Sequence, residues 1–131
     1  MESEYIKPSE IEKRSFEILT GELERRGIIL SGDTEPVIKR CIHTTADFDY
    51  ADTMTFSENA VERLKECIRS GSCIVTDTNM ALAGINKRLL KKYNCEAVCF
   101  MADEDVAAEA GARGITRATV SMERAMKLGK P

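Results

Sequence analysis

CIVTD at Cys73–Asp77 and CEAVCFM at Cys95–Met101, with NMALAGINKRLLKKYN at Asn79–Asn94 between them, are the stretches from which the fold is read. Each outer run is short and apolar, and the first ends on an acid. That is the form of a buried parallel strand whose carboxyl end carries a polar group. The middle run has a helical period broken near Gly84. Strand, helix and strand in this order predict a right-handed crossover joining two adjacent parallel strands.

Upstream, SENAVERLKECIRSG (Ser57–Gly71) reads as a helix capped by Ser57, with Ala60, Val61, Leu64 and Ile68 facing a core. ADFDYADTMTF (Ala46–Phe56) has no strong period, although Met54–Phe56 fits a short strand. Pro36 suits the first turn of a helix whose stripe is Val37, Ile38, Cys41 and Ile42 and which ends near His43–Thr45. GIILSGDTE (Gly27–Glu35) is a short apolar run followed by a turn. The first helix starts at a Ser9 cap with Glu12 three residues on, repeats Ile11, Phe16, Leu19 and Leu23, and stops at Gly27.

Downstream, DEDVAAEAGARG (Asp103–Gly114) is a helix with acids at its amino end, and Thr116 opens the last one, TRATVSMERAMKLG. This order predicts an α/β fold, a three-layer α/β/α arrangement with a mainly parallel sheet, as one domain over residues 1–131. The last helix runs into Gly129-Lys130-Pro131, a signal that ordinarily leads to another strand. The expectation is therefore a domain short of its C-terminal strand, with an exposed edge that favours self-association.

The 131 residues suit a single domain, and 43% apolar with 31% charged residues suits a soluble globular chain. The net charge of −3, with signs mixed and no basic run longer than three residues, argues against a nucleic-acid partner. No apolar run approaches the ~20 residues that span a bilayer, which argues against a membrane partner. The start MESEYIKPSEIEKR lacks a signal peptide's apolar segment, so the expected location is the cytoplasm. Five cysteines include no C-x-x-C pair, and Cys95 and Cys99 on one strand would stand ~13 Å apart. They read as free thiols, with no metal site. The glycines at Gly84 and Gly111–Gly114 do not make a dinucleotide fingerprint, and there is no P-loop.

Chemistry-bearing residues are sparse. CIHTTADFDYAD (Cys41–Asp52) holds the only histidine, His43, at a helix end, where a cation is favoured. Imidazole suits proton transfer near neutral pH, and Asp47 or Asp49 would hold the ring. The other role open to it is a simple helix-end cap. Asp77 sits at a strand's carboxyl end, where ligands gather in open α/β sheets, or it caps the next helix. Gly114-Ile115-Thr116-Arg117 places an arginine beside a helix amino terminus, a natural carboxylate site or a solvated cation next to a threonine cap.

Ser15-Phe16, RCIHTTADFDYA (Arg40–Ala51), IVTDTNMALAGI (Ile74–Ile85) and GITRATVSM (Gly114–Met122) together resemble precorrin-8X methylmutase, the precorrin isomerase of cobalamin biosynthesis. The resemblance runs over nearly the whole chain. It implies an isomerase that moves a methyl group from C-11 to C-12 of the corrin ring, giving hydrogenobyrinic or cobyrinic acid. It also implies no cofactor, and a homodimer with sites near the subunit interface. The family's proton-donating histidine falls on His43, its arginine after threonine on Arg117, and its serine before phenylalanine on Ser15. With the matched blocks, the substrate-contacting set becomes Ser15, Arg40, Thr44, Thr45, Asp77, Met80, Thr116 and Arg117. Family members continue into a strand and a Gly-Asn-Ala-Pro-Thr-Ala-Leu block. The second expectation is accordingly a non-catalytic tetrapyrrole-binding remnant, and the third an unrelated α/β binding or dimerisation module.

Overall fold

The computed structural model describes residues 7–129. The polar start at 1–6 and the terminal Lys130-Pro131 signal lie outside them. The chain divides into two compact units, Met1–Glu62 and Arg63–Pro131.

The first unit is built on two helices, α1 (Pro8–Arg25) and α2 (Glu35–Thr45), followed by the single turn α3 (Tyr50–Thr53). Proline has no N–H to leave unpaired and a φ already suited to a helix. Pro8 therefore takes the first helical position and Lys7 becomes the N-cap, without a side-chain bond, so the expected Ser9 cap is not formed. Gly27 ends α1 at φ 70°, where the Ile28 amide bonds the Leu23 carbonyl at 3.0 Å. Pro36 lies in the first turn of α2.

Leu19 and Leu23 of α1 bury against Ile38 and Ile42 of α2, with Ile28, Leu30, Phe48, Tyr50, Met54 and Phe56 packed around them. The expected strand at Met54–Phe56 is absent. The segment runs irregularly, and its two large side chains anchor singly on this cluster. Ile11 is exposed, because it lies one residue off the row Glu12, Phe16, Leu19, Leu23 that turns toward α2.

α4 (Ala60–Arg69) begins three residues later than expected, its first amide bonded to the Ser57 carbonyl at 3.1 Å. Of its expected core stripe only Val61 is buried, while Leu64 is 62% and Ile68 37% exposed. The helical period specified a face but not a cover for it.

In the second unit β1 (Cys73–Val75) and β2 (Glu96–Val98) pair in parallel in the register Cys73↔Glu96, Ile74↔Ala97, Val75↔Val98. The two strands predicted to be adjacent and parallel are so, each shorter than its apolar run. The crossover is two short helices, α5 (Asn79–Gly84) and α6 (Lys87–Lys92). Asn86 starts the second by accepting the Arg88 and Leu89 amides, which is why the period breaks just after Gly84.

Gly71 enters β1 at φ 84°, and a Cβ there would stand 3.0 Å from the Asn94 carbonyl oxygen. Gly71→Ala combines a left-handed backbone with that close approach. It should cost about 1–3 kcal/mol in urea unfolding. An unchanged midpoint would contradict this account.

α7 (Glu104–Arg113) and α8 (Arg117–Met126) close the unit through Val106, Ala110 and Val120, with Phe100 and Ile115 against them. Gly114 turns the chain between them at φ 62°. Arg113 joins Glu109 of α7 to Glu123 of α8. The hydrogen bond from Arg113, aided by its charge, holds the Glu123 carboxyl below its usual value. A carboxyl lowered in the fold stabilises it above the unfolded value of about 4.3. That contribution fades as pH falls through the lowered value. Wild type should therefore lose more thermal stability than Glu123→Gln between neutral pH and about pH 3. Equal losses would show the pair to be thermodynamically silent.

The class is thus α/β, with a small parallel sheet and mostly helices. No helix among the described residues is long and apolar enough to cross a membrane.

Candidate functional site

The predicted site residues fall into two groups, one in each unit. In the first, one turn of α1 faces the last two turns of α2. The Ser15 Oγ lies 2.9 Å from the Nδ1 of half-buried His43. The next residue, Phe16, stacks on the imidazole with ring centroids 4.9 Å apart and planes 27° from parallel. Arg40, three residues before His43 on α2, holds its guanidinium 4.8 Å from the centre of the same Phe16 ring and 2.7 Å from the Glu12 carboxylate. Glu12 and Phe16 are one turn apart on α1, as Arg40 and His43 are on α2. The two helices thus present matched pairs.

The Ser15 hydroxyl is a suitable partner for a group that gains and loses a proton. It accepts from Nδ1–H of imidazolium and goes on accepting from Nδ1–H of the neutral ring once Nε2 has given up its proton. The contact therefore survives either state, and Nε2 is left as the nitrogen that can act on a ligand.

The carboxylates of Asp47 and Asp49, expected to hold the ring, make no hydrogen bond to it. Asp47 accepts the Asp49 amide at 2.9 Å, a local turn that competes with any longer reach, and Ala46 at φ 58° redirects the chain. Thr44 and Thr45 donate their hydroxyls to the carbonyls of Arg40 and Cys41, at 2.9 and 2.8 Å. They finish the helix and remain exposed. An open groove of about 850 Å³ runs past Glu12, Phe16, Thr20, Lys39 and Arg40. His43 does not line it and meets it through Phe16.

Of the second group, Asp77 lines an open cleft of about 680 Å³ at the carboxyl end of β1, together with Thr76, Ala81, Ala118, Thr119 and Met122 among others, while Thr116 and Arg117 immediately precede two of those lining residues without lining it themselves. Asp77 is on that lining, exposed, and is not the helix cap, since Thr78 accepts the Ala81 amide at 3.1 Å instead. Thr116 caps α8 by accepting the Thr119 amide at 3.1 Å. Arg117, the first residue of α8, is exposed, and no hydrogen bond or ion pair among the described residues engages it. By contrast, Arg40, Arg113 and Arg124 are all paired with carboxylates. Met80 is 83% exposed and off the cleft lining. Among the described residues no group of three or more His, Cys, Asp or Glu could hold a metal ion.

Two contributors were not read as site residues in the sequence, Glu12 being taken for a capping partner and Phe16 for a member of the apolar row and of the matched block. Glu12 and Phe16 belong to the α1 row that also carries Leu19 and Leu23, and a charge inside an otherwise apolar row was the available signal. Ser15 was read as a ligand contact, and its hydroxyl also lies beside the His43 ring, a link the sequence did not show.

Comparison with known proteins agrees on one family. The sequence profile of precorrin-8X methylmutase (CbiC) matches residues 10–130. The cobalt-precorrin-8 methylmutase of Salmonella typhimurium is 42% identical over 122 residues, covering 91% of this chain and 58% of that protein. That of Priestia megaterium is 35% identical over 122 residues, covering 93% and 53%. The solved precorrin-8x methyl mutase from Thermus thermophilus superposes with a TM-score of 0.76 at 34% identity, over 91% of this chain and 56% of that one. The chain therefore spans about half the length of the relatives it matches.

Proposed function

The chain belongs to the precorrin-8X methylmutase family, and on that premise we propose that it acts on the corrin ring in cobalamin biosynthesis, moving a methyl group from C-11 to C-12 with His43 as proton donor. The observation that carries the reading is the His43 ring, held at Nδ1 by Ser15 and stacked on Phe16. Protonating the conjugated macrocycle makes it electron-poor and eases the migration of methyl. An isomerisation leaves the composition unchanged, so a proton added to the ring is balanced by one leaving it. Imidazole with a hydroxyl partner serves both steps.

The substrate class is a large apolar ring bearing carboxylates, which calls for a broad apolar surface with a few cationic groups at its rim. Arg117, which has no ion pair among the described residues, is a cation suited to a carboxylate. Ser15, Arg40, Thr44, Thr45, Asp77, Met80 and Thr116 complete the proposed contacts. The same reading takes residues 1–131 as part of one three-layer α/β/α domain with a mainly parallel sheet, working as a cytoplasmic homodimer.

A second reading is a tetrapyrrole-binding protein without turnover, in which the carboxylated ring is held by the same contacts and His43 passes no proton to it. Titration with hydrogenobyrinic acid followed by its visible absorption, and a single-turnover assay on the precorrin, separate the two. Binding with turnover supports the isomerase, binding alone supports the second reading, and absence of binding overturns both.

A further inference from the structure

Ser15 and Phe16 are consecutive on α1 and touch His43 in different ways: one at the ring edge through Nδ1, 2.9 Å away, the other through a stack with centroids 4.9 Å apart. An edge contact by itself leaves the imidazole able to tilt about the line from Nδ1 to its partner. A stacked neighbour removes that freedom, because aromatic pairs prefer defined offsets and tilts. Phe16 is itself placed from above and below in sequence. Arg40 lies 4.8 Å from its ring centre, and Glu12, one turn earlier on α1, pairs with Arg40 at 2.7 Å. Glu12–Arg40 and Phe16–His43 thus form two rungs between the same helices, and Arg40 bridges them.

We infer that Phe16 is a positioning residue that sets the plane of the His43 ring, and so the direction in which Nε2 points, with the Glu12–Arg40 pair holding Phe16 in place. Its catalytic meaning rests on His43 being the proton donor of the preceding section, but the geometry is testable without turnover. His43 is the only histidine in the chain, so its ring protons give an unambiguous NMR signal.

In the wild-type chain the Cε1 and Cδ2 protons should lie upfield of free imidazole under the Phe16 ring current and show nuclear Overhauser contacts to the Phe16 ring. Phe16→Leu should move both protons back toward the free values, whereas Phe16→Tyr, which keeps a ring, should retain the wild-type shifts. Absence of the Phe16–His43 contacts in wild type overturns the inference, and that measurement holds even if the leucine variant does not fold. Unchanged His43 shifts in a folded Phe16→Leu overturn it as well. A His43→Ala protein that kept full turnover would refute the proton-donor reading and leave the spectra as they are, so the two failures are distinguishable.

Discussion

On the proposed reading, in a version of the chain extended to the relatives' length, His43→Ala should lower the single-turnover rate of methyl migration by about 10²–10⁴-fold, the usual contribution of one positioned general acid. The expectation follows from how the ring is held. Its Nδ1 is engaged by Ser15 and its face by Phe16, and no hydrogen bond among the described residues engages Nε2. Alanine removes the proton and leaves α2 intact, because the buried side chains of that helix are Ile38 and Ile42 and its carbonyls are finished by Thr44 and Thr45. Affinity for the product ring should change far less than the rate, since binding is spread over many contacts and the proton comes from one residue. The informative pair of measurements is therefore single-turnover rate and product affinity on the same variant. A near-wild-type rate would remove His43 from the chemistry. An equal loss in both would make it a binding residue.

Arg117→Ala should weaken binding of the carboxylated ring by about 10- to 100-fold, the equivalent of one charge-assisted hydrogen bond. The argument is one of availability. Arg113 is committed to Glu109 and Glu123, Arg124 to Asp103 and Asp105, and Arg40 to Glu12. Arg117 has no such partner among the described residues, and it stands at the amino end of α8, where the helix dipole already favours an anion. Arg117→Lys should recover part of the affinity by restoring the charge without the two-pronged geometry. Titration with hydrogenobyrinic acid over a range of salt concentration checks both points. The interaction is exposed, so its loss should shrink as salt rises. Wild-type affinity in Arg117→Ala would remove the arginine from the proposed contacts.

Much of the fold was legible because its signals are local. The apolar runs around Ile74 and Ala97, the break after Gly84, the stops at Gly27 and Gly114 and the Thr116 cap all follow from propensities that act over a few residues, and they stand where the sequence placed them. The misread elements depended on something farther away. Met54–Phe56 looked like a strand but had no neighbour to bond. Leu64 and Ile68 formed a stripe without a cover. Pro8 displaced the Ser9 cap through a preference for one position over its neighbour. The strength of the shared pattern around His43, Asp77 and Arg117 marked where chemistry was to be sought, but not what each group touches.

A histidine at a helix end, two adjacent parallel strands and a family pattern over nearly the whole chain were written in the residue order itself. The tertiary structure decided that the partner of His43 is the hydroxyl of Ser15, 28 positions earlier, rather than the nearby aspartates, and that Phe16, Arg40 and Glu12 close around it. The reason is physical. A short polar side chain such as Asp47 is captured by its own backbone within two residues. The side chain that reaches a ring nitrogen is chosen by how two helices lie against each other, and the α1–α2 contact is set by Leu19, Leu23, Ile38 and Ile42, none of which carries any chemistry.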